Sequence, residues 1–134
     1  MPASRSPFDA LGDQPFVSLS TFRRTGVAVA TPVWIGRDGD ALVVLTPADS
    51  GKVKRARNDA RVSLRPCDRR GRVTPGSVRV EGSAEILPES ETPRIVSALR
   101  RKYGLEFPVV MFIERIVARG QKKRVVLRIT PAVG

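Results

Sequence analysis

The sequence predicts a mainly β domain with flanking helices, in which six antiparallel strands curl into a small barrel. Three observations lead there. Short stretches alternate in polarity: Val78, Val80, Gly82, Ala84 and Ile86 share one face, and Arg79, Glu81, Ser83 and Glu85 share the other. Such period-two alternation is the mark of a half-buried strand. Turn signals separate most of these stretches closely, so neighbours should pair antiparallel. A lone open sheet would leave edges and one face bare, and closure removes both problems.

Taken in order, residues 1–15 are polar and rich in Pro and Ser, and are expected to form a flexible arm. Residues 16–134 are expected to form the single folded domain. Phe16 to Ser20 alternates as a strand, and Arg24-Thr25-Gly26 reads as a turn. Val27 to Ile35 is β-branched and reads as one strand, with Pro32 marking an edge or an irregularity. Asp38-Gly39 signals a hairpin of type I′. Ala41 to Thr46 is a third, well-buried strand. Asp49 or Ser50 caps a short helix from Gly51 to about Asn58-Asp59. Arg61 to Pro66 and Ser77 to Leu87 are strands around a polar loop from Cys67 to Gly76. Glu89 to Tyr103 has helical spacing in Ile95, Val96 and Leu99, basic residues in its last turn and Gly104 as a stop. Val109 to Ala118 leans helical, and Gln121 to Thr130 closes the chain as a strand.

Composition narrows the chemistry. At 134 residues the chain can bury a sizeable core without disulfides or a structural metal. Cys67 is the single cysteine, so no intrachain disulfide forms. It reads as a small filler. There is no histidine, which excludes Ser-His-Asp and Cys-His mechanisms and any His-containing zinc site. No metal site is expected. Hard chemistry would therefore sit on an organic cofactor. The start shows no secretory signal and no apolar run is long enough to span a membrane, so a soluble, cytoplasmic protein is expected.

The net charge is +11 and unevenly placed: −1 over residues 1–50, +8 over 51–80 and +4 over 81–134. Such a concentration attracts anions, although many charge runs only solvate a surface. Its centre is Thr46-Pro-Ala-Asp-Ser50-Gly-Lys52-Val-Lys54-Arg55-Ala-Arg57-Asn58. A buried strand ends there and a helix begins. Helix N-termini offer unpaired N–H groups and partial positive charge to a phosphate. A helix built only for stability would carry acids in its first turn. Lys52, Lys54 and Arg55 instead stand where an anion would sit.

This run resembles the phosphate-binding element of the pyridoxamine 5′-phosphate oxidase-like split β-barrel superfamily, whose flavin members carry Ser-x-Lys after a strand and an Asn further on. Here the residues are Ser50-Gly51-Lys52 and Asn58. Ser77-Val-Arg79-Val-Glu81-Gly82 resembles the superfamily's Val-Arg-Ile-Glu-Gly strand. Thr25-Gly26 with Thr31-Pro32-Val33-Trp34 resembles the opening strand pair of actinobacterial members that use the deazaflavin coenzyme F420. Lys52-Val-Lys54-Arg55-x-Arg57-Asn58, followed by Arg61-Val-x-Leu64-x-Pro66-Cys67-Asp68, is also similar to that group.

The resemblance implies a split β-barrel and a homodimer with the cofactor between subunits, the partner's strand near Arg124 to Thr130 completing the site. It implies F420, with FMN as the alternative. Lys52 would contact the cofactor phosphate, helped by Ser50, with Thr46, Lys54, Arg55 and Asn58 at the same end. Thr31, Pro32, Val33 and Trp34 would run along the ring. Arg57, Arg69, Arg70 and Arg72 would attract the glutamate tail of F420. The implied activity is hydride transfer to or from a small organic substrate, with no side chain obliged to act as a base. The chain lacks the usual substrate-binding C-terminal segment and histidine of the flavin oxidases, which argues against pyridoxamine phosphate. A cofactor carrier without turnover is a further alternative. Nucleic acid is disfavoured, because aromatic residues are only 5% and stacking platforms are few. Tyr103 reads as a packing residue, and Glu81 and Glu85 as partners of neighbouring cations.

Overall fold

A computed structural model describes residues 6–104 and 124–132. The helix expected over Val109 to Ala118 lies outside them. Among the described residues, seven strands form one antiparallel sheet: β1 Val17–Phe22, β2 Ala28–Val33, β3 Gly36–Asp38, β4 Ala41–Pro47, β5 Arg61–Pro66, β6 Val80–Ile86 and β7 Arg124–Pro131. Three α-helices accompany them among the described residues: α1 Pro7–Ala10, α2 Gly51–Asn58 and α3 Thr92–Tyr103.

The strand order is β2-β1-β5-β6-β7-β4-β3. Its two edges, β2 and β3, are consecutive in the chain and joined only by Trp34 and Ile35. A two-residue link cannot cross a flat seven-stranded sheet, since neighbouring strands lie about 4.8 Å apart. The sheet therefore curls until its edges meet, and the seam runs beside Trp34 and Ile35. The fold is the expected split barrel.

Seven strands replace the expected six because Val27 to Ile35 does not run on as one. Pairing of β2 with β1 ends at Val33↔Val17. Pairing of β3 with β4 begins at Gly36↔Val43. Pro32 sits in the outer strand, where a missing N–H costs no ladder bond. The β3–β4 hairpin also differs from type I′. Positive φ occurs at Gly39 alone, at 62°, as a type II′ turn requires of its first central residue.

β4 is buried on both faces because two apolar layers meet there. Leu42 and Val44 face the barrel interior with Leu19, Leu64, Leu127 and Ile129. Val43 and Leu45 face outward onto Ile95, Leu99 and Tyr103 of α3, with Val126. This is why the strand reads as a continuous apolar run rather than an alternation. β6 keeps its alternation, with Gly82 and Ala84 buried and Glu81, Ser83 and Glu85 exposed.

Residues 1–15, expected as an arm, are folded from Pro7 to Asp13. Ser6 caps α1 by accepting from the Asp9 N–H at 3.0 Å, and a 3-10 turn over Leu11–Asp13 follows. Phe8 and Leu11, three residues apart, enter the barrel core. Burying two large apolar side chains stabilises by about 2 kcal/mol each, enough to hold so short a segment.

Candidate functional site

The seam opens into a cavity of about 290 Å³. One wall is aromatic and aliphatic: Phe16 leads into β1, Pro32 and Val33 end β2, Trp34 lies in the link, and Leu45 comes from β4. The Phe16 and Trp34 rings meet at 5.9 Å, tilted by 45°. The other end is polar, with Thr46 and Pro47 closing β4, Lys52 in the first turn of α2, and Arg69 from the loop after β5.

Lys52 is half-buried at this polar end. Desolvation, and then the nearby Arg55 charge, hold its ammonium below the usual lysine pKa. No carboxylate among the described residues pairs with it. The start of α2 also lacks a side-chain cap. Ser50 is the N-cap, but its side chain makes no capping bond. Its Oγ lies 3.2 Å from Thr46 Oγ1 instead. The first ladder bond of the helix runs from the Lys54 N–H to the Ser50 carbonyl at 3.2 Å. The N–H groups of the preceding turn are those a helix leaves for an anion.

The structure thus gathers Pro32, Val33, Trp34, Thr46 and Lys52 around one cavity. Ser50 adjoins it through Thr46. The other expected residues stand outside. Thr31 pairs with Leu19 one position before the wall. Lys54 is exposed on α2 beyond the cavity. Asn58 ends the helix, roughly 10 Å along its axis from Gly51 at 1.5 Å per residue. Arg55 folds back over the helix start, where a Cβ on Gly51 would fall 2.7 Å from its Nη1. There its Nε donates to Thr21 Oγ1 at 2.7 Å, which ties α2 to β1.

Phe16, Leu45 and Pro47 were not singled out by the sequence. Alternation groups Phe16 with Ser18 and Ser20, on the face opposite the core residues Val17 and Leu19, so the strand pattern carries no signal for it. Arg69 was expected only for a cofactor tail. Its loop is shaped by the Asp68 carboxylate, which accepts from the N–H groups of Arg70 and Arg72 at 2.8 and 2.9 Å. Those bonds hold the Asp68 carboxyl below its usual pKa. Burial pushes the Cys67 thiol up, as suits a filler.

A larger cavity of about 580 Å³ is lined by Pro15, Arg37, Arg101, Lys102 and Tyr103 among others. Its cations are partly committed elsewhere. Arg37 pairs with Asp13 at 2.7 Å and Asp9 at 3.6 Å. Lys102 is bound to backbone carbonyls. Among the described residues, the smaller cavity has a cation without a carboxylate partner beside a helix start. Among the described residues no cluster of His, Cys, Asp or Glu could hold a metal, and no helix is long and apolar enough to cross a membrane.

Comparison with known proteins agrees with this fold. The family model described as pyridoxamine 5′-phosphate oxidase matches residues 8–134. The chain belongs to that family. A conserved hypothetical protein from Mycobacterium tuberculosis is 24% identical at a TM-score of 0.69, over 99% of this chain and 83% of its own. A protein named F420 reductase is 18% identical at 0.64, over 97% of each chain. A Listeria innocua protein described as a pyridoxamine 5′-phosphate oxidase is 20% identical at 0.61, over 92% of this chain and 88% of its own. These likenesses establish a shared family fold. Comparison with curated proteins gives no match.

Proposed function

We propose that this family member is an oxidoreductase that transfers hydride between coenzyme F420 and a small organic substrate. The observation that carries the proposal is Lys52: a half-buried cation without a carboxylate partner among the described residues, beside a helix start that has no side-chain cap, at the polar end of an aromatic-walled cavity. A phosphate-bearing flat ring fits that donor set. Lys52 and the α2 amides would bind the phosphate, with Ser50 and Thr46 beside it. Pro32, Val33 and Trp34 would flank the ring. Bound there, the deazaflavin supplies the hydride chemistry; the chain's own residues position it and exclude water.

The cavity volume of about 290 Å³ is at the lower end for ligand pockets, so one chain encloses only part of such a cofactor. A homodimer whose second copy covers the remainder follows naturally. Within the described part of β7, both edges are already paired, to β4 and β6. A partner's β7 would therefore contribute side chains from a face rather than an edge.

FMN is the second candidate, because the same cradle suits its phosphate. Titration of the protein with F420 and with FMN, followed through Trp34 fluorescence, separates them. F420 binding supports the proposal, and micromolar FMN binding without F420 binding overturns it. Sedimentation at the same concentrations tests the dimer.

A further inference from the structure

The seam of the barrel is held by something other than strand pairing. β2 ends at Val33 and β3 begins at Gly36, so Ile35 stands between the two ladders. Ile35 is nevertheless fully buried. Buried backbone groups need partners. The last turn of α3, 68 residues away, supplies them. Tyr103 Oη accepts from the Ile35 N–H at 3.1 Å. It also lies 2.8 Å from the Ile35 carbonyl and 3.0 Å from the Pro15 carbonyl. Lys102 Nζ donates to the Ile35 carbonyl at 2.6 Å and to the Gln14 carbonyl at 2.8 Å.

The donor count makes the pair interdependent. A phenol has one proton and cannot serve two carbonyls together. With Lys102 supplying Ile35, Tyr103 Oη can donate to Pro15. The two side chains thereby grip both strands of chain that enter the cavity wall. Gln14 and Pro15 precede Phe16, Ile35 follows Trp34, and the Phe16 and Trp34 rings touch on the cavity side.

We infer that Tyr103 and Lys102 are positioning residues for the candidate cofactor cavity, setting the Phe16–Trp34 wall through the backbone of residues 14–15 and 35. They touch no cofactor themselves. The inference rests on the proposed function for its consequence in binding, but not for its effect on Trp34.

That difference gives the test. Trp34 is the single tryptophan, so near-ultraviolet dichroism and fluorescence report on the wall without any ligand. Tyr103→Phe should weaken the Trp34 dichroic band in the ligand-free protein. It should also raise the dissociation constant of whichever cofactor binds by about tenfold. Lys102→Met should act in the same direction with smaller effect, and Lys102→Arg should restore the wild-type band. Arg94→Gln, which removes the ion pairs of the same helix with Asp38 and Glu91, is the control for helix destabilisation and should leave the band unchanged. If Tyr103→Phe fails to fold, the two Lys102 variants decide. An unchanged Trp34 band in folded Tyr103→Phe, or in both Lys102 variants, overturns the inference. Absence of binding by wild-type protein would overturn the proposed function and leave the Trp34 comparison intact.

Discussion

Ser50 begins a helix but turns its hydroxyl away from it, onto Thr46 at 3.2 Å. A serine in this position ordinarily accepts from the helix amides, and its loss costs about 1 kcal/mol. Here that bond is absent. Ser50→Ala should therefore lower the stability of the ligand-free protein by only about 0.5 kcal/mol, the scale of one exchanged hydroxyl contact. Urea denaturation measures this. A loss nearer 2 kcal/mol would show that the hydroxyl does cap the helix in solution.

Lys52 should affect stability and binding in opposite directions. Its ammonium is partly desolvated, stands at the positive end of α2 and lies near Arg55. Each of these opposes folding of the free protein. Lys52→Ala should leave the midpoint of urea unfolding unchanged or raised. The same substitution should weaken cofactor binding by about 1.5–3 kcal/mol, the scale of a charge-assisted contact. Equal affinity in the variant would remove Lys52 from the site.

Much of this arrangement could be read in the sequence where short-range chemistry decides it. The bounds of α2 follow from Ser50 and Asn58, and the buried β4 from its apolar run. Tyr103 was read as a packing residue and is buried. Glu81 and Glu85 do pair with cations, Arg79 at 2.7 Å and Arg128 at 3.6 Å. The break at Trp34 and Ile35 was not legible, because Val33 precedes it, Ile35 is itself β-branched, and the bonds that hold it come from distant α3. The cradle was legible as a charge pattern but not residue by residue. Spacing places Arg55 and Lys52 alike in the first turns, and only the buried Thr21 hydroxyl draws Arg55 to β1. The segment from Pro7 to Asp13 was readable in part: Ser6-Pro7 is a cap followed by a favoured first helical residue. Its core contacts depend on the barrel being present to receive Phe8 and Leu11.

Gly82 shows why a strand interior should lack a side chain. A Cβ there would meet Ile129 Cγ2 at 2.9 Å, the Thr130 carbonyl oxygen at 3.0 Å and Val62 Cγ2 at 3.4 Å. One of these is backbone of the neighbouring β7 and cannot swing aside. Gly82→Ala should destabilise the protein by about 1–3 kcal/mol, the usual range for overpacking. Thermal or urea unfolding checks it, and a neutral result would mean that β6 and β7 separate readily.

Asp38 joins three elements. It ends β3, accepts from Arg94 of α3 at 2.7 Å and from Arg128 of β7 at 3.2 Å. The Arg94 bond is the largest influence holding its carboxyl below the usual pKa, followed among the favourable ones by Arg128. A lowered folded pKa stabilises above the unfolded value near 4, and that gain disappears as pH falls through the folded pKa. Asp38→Asn should cost about 1 kcal/mol at neutral pH, since the network is partly exposed. It should also flatten the loss of stability below about pH 4. An acid limb identical to wild type would show that the pair with Arg94 is not held in solution.

Lys102 gives the opposite limb. Its ammonium is pushed down from 10.5 to about 8, first by desolvation and then by Arg37. Two carbonyl acceptors favour the charged form, but burial outweighs them. The amine keeps two N–H groups when neutral, so both bonds to Gln14 and Ile35 survive deprotonation. Folding therefore releases a proton that the unfolded chain retains between pH 8 and 10.5. Where the unfolded state binds more protons, stability rises with pH. The penalty is full below about 8 and fades above it. Lys102→Met removes both the bonds and the penalty, and should reduce the slope across that window. Lys52 is shifted in the same direction and should leave a residual slope. Urea unfolding at pH 7, 8, 9 and 10, about one unit apart to span the titration, measures the difference. An equal slope in variant and wild type would mean that Lys102 titrates as a free lysine and that its grip on Ile35 is loose.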